Sequence, residues 1–130
     1  MTEMIFADTF YWVALLSPRD AFHGQAIAIT AKLGKTKIIT TDEVLSEVLN
    51  FLSDGGVKLR ERTVNTVRQL LNADSEKVAV LSQSHTTFLG GLDLYEQRLD
   101  KGYSLTDCIS MVTMKQMGVI PIHKSVATLL

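Results

Sequence analysis

Four acidic residues stand where short apolar runs give way to polar ones: Asp8, Asp42, Glu47 and Asp107. Asp8 follows the run 4–7 directly. Asp42 and Glu47 fall in the first turns of a helical stretch after a second such run, and Asp107 opens the last long helical stretch. Carboxylates crowded at one edge repel and raise one another's pKa unless a cation compensates. Oxygen ligands without His or Cys suit a hard cation, Mg²⁺ or Mn²⁺. Such an ion keeps waters, positions a phosphodiester and lowers the pKa of an attacking water.

Two of these acids also have structural uses. On a helical wheel Val44, Leu45, Val48, Leu49 and Leu52 form an apolar stripe. Glu47 lies at its edge beside Phe51, so its carboxylate is either a solvated helix charge or one held half-inside over a sheet edge. Asp107 sits in the pattern Ser104-x-x-Asp107, which caps a helix without any catalytic role. Convergence of the acids, not any one of them, carries the chemistry.

The elements that position these groups are short strands alternating with helices. Strands are expected over 4–7, 37–40, 77–81 and 119–122. Helices are expected over 10–16, 20–33, 42–52, 57–71, 86–99 (with a late start because of Gly90-Gly91) and 105–117. Gly34 and Gly118 act as stops. Mostly apolar strands separated by helices imply a parallel sheet covered on both faces. In such sheets ligands collect at the carboxyl ends of the strands, where these acids stand.

The 130 residues suit one domain, 1–130, with one core. With 46% hydrophobic residues the chain is too apolar for disorder, yet no run is long enough to span a membrane. The start MTEMIFAD is acidic where a signal peptide wants Lys or Arg, and one Cys excludes an internal disulfide; both fit the cytoplasm. Thirteen Lys and Arg against fourteen Asp and Glu leave a charge of −1, which argues against a protein that coats nucleic acid through a basic face.

Other signals are weaker. Leu33-Gly34-Lys35-Thr36 is not a phosphate loop, since Ile29 occupies the first glycine position. Lys58, Arg60, Arg62 and Arg68 are either a solvated helix face or a contact to RNA phosphates. His23, His85 and His123 lack metal-ligand spacing, and Cys108 reads as core. Phe10, Tyr11, Trp12, Val13 and Leu15 divide between core and an interaction surface. A phosphoacceptor receiver domain would need an Asp after the third strand, where Ser82-Gln83-Ser84 stands.

Phe6-Ala7-Asp8-Thr9, the segment Thr40-Thr41-Asp42-Glu43-Val44-Leu45-Ser46-Glu47-Val48-Leu49, and Tyr103-Ser104-Leu105-Thr106-Asp107-Cys108-Ile109-Ser110 together resemble the PIN domain. The similarity runs over residues 3–120 and is close to the small prokaryotic members that include the VapC toxins. The resemblance implies a three-layer α/β/α sandwich around a parallel sheet of four to five strands. It also implies a Mg²⁺- or Mn²⁺-dependent endoribonuclease. Asp8, Glu47 and Asp107 match the family's metal-binding acids, and Thr9, Thr41 and Thr106 match supporting hydroxyls. The partners it implies are RNA, a second copy in a homodimer, and an antitoxin whose C-terminal segment enters the site. One departure lies at the end: no acid follows Asp107, where the family carries a fourth, and His123 and Ser125 stand near that place. Three acids suffice for one ion. The alternative is a weakened PIN module that acts by binding RNA or a partner.

Overall fold

β-Branched and aromatic residues fill the runs that become strands, while apolar residues three and four apart mark the helices. A computed structural model describes residues 3–124. In chain order the elements are β1 (Met4–Phe6), α1 (Thr9–Leu16), α2 (His23–Ala31), β2 (Lys37–Thr41) and α3 (Asp42–Phe51). Then come α4 (Val57–Asn72), β3 (Val78–Leu81), α5 (His85–Gln97), α6 (Leu105–Met117) and β4 (Ile120–Pro121).

The strands form one four-stranded sheet, ordered β3-β2-β1-β4, with every pairing parallel. Parallel strands need covering on both faces, and the helices complete a three-layer α/β/α sandwich. Helix α1 packs on α2, α3 and α4, whereas α5 and α6 form a second pair that meets α3 through α6. Ile5, Phe6 and Ile39 from the central strands, with Ala7 just after β1, join Trp12, Val44, Val48 and Ile122 in the core. None of the described helices is long and apolar enough to cross a membrane.

Three spans depart most from expectation, each for a local reason, while β1, α1, β2, α3, α4 and β3 differ by one residue at one end. The helix expected over 20–33 shrinks to α2, because Asp20 forms a turn. Its carboxylate accepts the Phe22 N–H at 2.9 Å and its carbonyl accepts the His23 N–H at 3.1 Å. Helix α5 starts early rather than late, since Ser84 and Thr87 form a capping box ahead of the glycines. Gly91 is needed there: a Cβ would lie 3.2 Å from the Ile109 backbone and run into that side chain. The last strand is only two residues long, with Pro121 tolerated because β4 is an edge. By contrast α6 matches its expected span, and Gly118 ends it with φ +67°.

Candidate functional site

Asp8 stands two residues beyond β1. The register pairs Phe6 with Ile39, so, extended by two residues, it brings Asp8 level with Thr41 at the end of β2. Here Asp8 is the N-cap of α1. Its Oδ1 accepts the Tyr11 N–H at 3.0 Å, satisfying one of the free donors of the first turn. The carboxylate is half-buried, and Oδ2 has no hydrogen bond among the described residues.

Beneath Asp8 lies a residue to which the sequence analysis assigns no role. Thr40, fully buried, donates its hydroxyl to the Ala7 carbonyl at 2.9 Å and accepts the Trp12 indole N–H at 3.3 Å. One hydroxyl therefore ties β2 to the residue before Asp8 and to the helix that Asp8 caps. The visible signal is a polar residue inside an otherwise apolar strand, Ile38-Ile39-Thr40, and such residues inside need partners.

After β2, Thr41 caps α3 by accepting the Val44 N–H at 3.1 Å, so this buried hydroxyl already has a structural use. Asp42 accepts the Gln83 N–H at 3.0 Å, which fastens the loop after β3 to the start of α3. Glu47 follows on the boundary of the α3 stripe. It is half-exposed between the buried Leu45 and Val48, and its carboxylate has no hydrogen bond among the described residues. Thr9 and Thr106 open α1 and α6, both half-buried.

Asp107 is exposed and forms the capping box seen in the sequence. Its N–H donates to Ser104 Oγ and its Oδ2 accepts the Ser104 N–H, both at 3.0 Å. Behind it the Cys108 thiol is pushed up by burial and further by the Asp107 charge, with Arg98 opposing. Contact between α3 and α6 joins the elements that carry Glu47 and Asp107.

Strand register thus sets Asp8 beside the start of α3, and packing of α3 on α6 joins the helices of Glu47 and Asp107. The oxygen donor set has the chemistry of a hard divalent ion. The side chains are not gathered into one ligand set: among the described residues no three of Asp, Glu, His and Cys are placed to hold a metal. Asp8 and Asp107 instead point an oxygen at their own helix termini.

His123 lines a small cleft of about 60 Å³ together with Asp8, Phe10, Tyr11 and Phe22. Ser125 lies outside the described residues. In the basic set, Arg60 donates to the Ser53 carbonyl at 3.0 Å and Arg62 to the Leu16 carbonyl at 3.3 Å. Those two brace the turn before α4 and the end of α1. Lys58 and Arg68 are exposed and make no such bonds among the described residues.

The family model of the PIN domain matches residues 5–124. Among solved structures the chain is similar to VapC20 of Mycobacterium tuberculosis, a sarcin-ricin loop cleaving toxin. The TM-score is 0.77 at 23% identity, covering 88% of this chain and 84% of that one. A likeness at that identity establishes the shared fold. No curated protein matches the sequence.

Proposed function

The chain belongs to the PIN domain family, and from that premise we propose that it is a Mg²⁺- or Mn²⁺-dependent endoribonuclease, the toxin of a toxin–antitoxin pair acting in the cytoplasm. The observation that carries this reading is the family match over 5–124, which takes in Asp8, Glu47 and Asp107. VapC20, of the same fold, is a toxin that cleaves RNA in the sarcin-ricin loop. In this proposal Asp8, Glu47 and Asp107 hold the ion, and Thr9, Thr41 and Thr106 support them. A bound divalent ion supplies positive charge to a phosphodiester and lowers the pKa of a water.

The protein's own contribution is placement. Thr40 fixes the chain just before Asp8. The α1 cap turns Oδ1 inward, which leaves Oδ2 for a ligand. Asp107 divides its oxygens in the same way, with Oδ2 on the Ser104 N–H. Glu47 stands on the α3 boundary, half-exposed beside the buried Val48. Exposed Phe88, Leu92 and Tyr95, at helical spacing along α5, support a homodimer. The antitoxin is the partner that completes the module.

RNA cleavage tests this reading. Wild-type protein should cleave RNA with Mg²⁺ or Mn²⁺ and stop with EDTA. Asp8→Asn and Asp107→Asn should abolish cleavage while keeping the fold, because an amide oxygen still accepts the same backbone N–H. Full cleavage by both variants would sink the assignment. A second reading, a weakened module that binds RNA or a partner, draws on the open placement of the acids. It predicts RNA binding without metal-dependent cleavage.

A further inference from the structure

We infer that the cleft between the end of α1 and the turn from α3 to α4 takes an unpaired segment of RNA, with a base stacked on Phe51 and the adjoining phosphates held by Arg19 and Lys58. This subsite rests on the ribonuclease reading above. The cleft has a volume of about 480 Å³, and Asp8, Glu47 and Asp107 are not in its lining. Its lining carries three cations, Arg19, Lys58 and Arg62, against the one carboxylate of Asp54. That imbalance is local, since the whole chain is nearly neutral. It favours an anionic occupant.

Phe51 narrows the choice. It ends α3 and is 65% exposed, although Val44, Glu47 and Val48 on that helix face are buried or half-buried. Leu59 and Leu52 stand with it in the lining, so the floor is apolar. A free phosphate or an acidic side chain would meet the cations and leave the ring idle. A nucleotide uses both, because bases stack on aromatic faces while phosphates meet Lys and Arg. Only an unpaired segment has a base face to offer, since a duplex keeps its bases stacked inside.

Position supports the same occupant. Phe51 follows Glu47 by four residues, so the two are neighbours along one side of α3. A base seated on Phe51 therefore lies about one helical turn from Glu47. One lining residue is braced, with Arg62 bonded to the Leu16 carbonyl at the end of α1 at 3.3 Å. Arg62 is thus a strut as well as a charge, and Lys58 is the cleaner probe.

The experiment is fluorescence anisotropy of a labelled oligoadenylate in EDTA, read as a function of salt. Phe51→Ala should weaken binding about 5- to 100-fold with little change in salt slope, and Phe51→Trp should keep the affinity. Lys58→Ala should reduce the slope of log K against log salt by about 0.7, one phosphate contact on a single strand. Leu99→Ala removes an equally exposed apolar side chain outside the cleft and should bind like wild type. Wild-type affinity in Phe51→Ala, or a wild-type salt slope in Lys58→Ala, overturns the subsite. So does loss of affinity for an acidic peptide with RNA affinity intact. If RNA cleavage is normal while Phe51→Ala binds unchanged, the subsite alone fails. If wild-type protein binds no oligoadenylate in EDTA yet cleaves RNA with Mg²⁺, the subsite alone fails; if it neither binds nor cleaves RNA, the ribonuclease reading fails with it.

Discussion

Thr40 makes the most consequential single contact near the candidate site. Its one hydroxyl satisfies a buried carbonyl and a buried indole N–H, so Thr40→Val leaves both groups unpaired in a volume-matched side chain. The expected cost is about 1–3 kcal/mol by denaturant unfolding. Cleavage should fall as well, because Ala7 precedes Asp8. Thr40→Ser should recover both, and a Val variant as stable and as active as wild type would remove this positioning role. The acids themselves are legible as residue types at strand ends, and the Ser104–Asp107 capping box is legible as a spacing. The Thr40 contact is not, because its partners lie 28 and 33 residues away and only strand register brings them together.

At the scale of elements, α3 and α6 follow from spacing alone. Each starts at a hydroxyl cap, and Gly118 gives α6 a left-handed stop. Helices α2 and α5 are less legible. Asp20 diverts its neighbours into a turn through a side-chain bond, and Gly90-Gly91 reads as a breaker until α6 is packed against it. Gly91→Ala should therefore destabilise the protein by about 1–3 kcal/mol, as overpacking does, with the loss read by thermal melting. An unchanged melting temperature would show that α5 and α6 can separate freely. The pairing of α1 with α2 has a pH signature. Burial raises the Tyr11 hydroxyl above its usual 10.0, against the opposing hydrogen bond to Thr30. Tyr11 therefore binds its proton more tightly folded than unfolded. Its contribution is complete below about pH 10 and is lost as pH climbs through the raised value. Melting temperature should fall along that alkaline limb, and Tyr11→Phe should flatten it.

For the whole molecule, near-neutral charge and a parallel sheet are what the sequence makes plain. The fold follows because strand runs and helix spacings alternate along the chain, and the sheet order β3-β2-β1-β4 places the ends of β1 and β2 side by side. The site is legible only in part, since acids there also have structural uses: Asp8 and Asp107 cap their helices and Asp42 fastens the loop after β3. Local charge also departs from the average, with basic residues gathered around the cleft beside Phe51. The central claim is that Asp8, Glu47 and Asp107 share a divalent ion. Anomalous diffraction from crystals grown with Mn²⁺ tests it most directly. The expected result is one Mn²⁺ peak ligated by those three carboxylates, with their side chains turned toward it. Carboxylates that stay apart around an empty edge, in protein saturated with Mn²⁺, would contradict it.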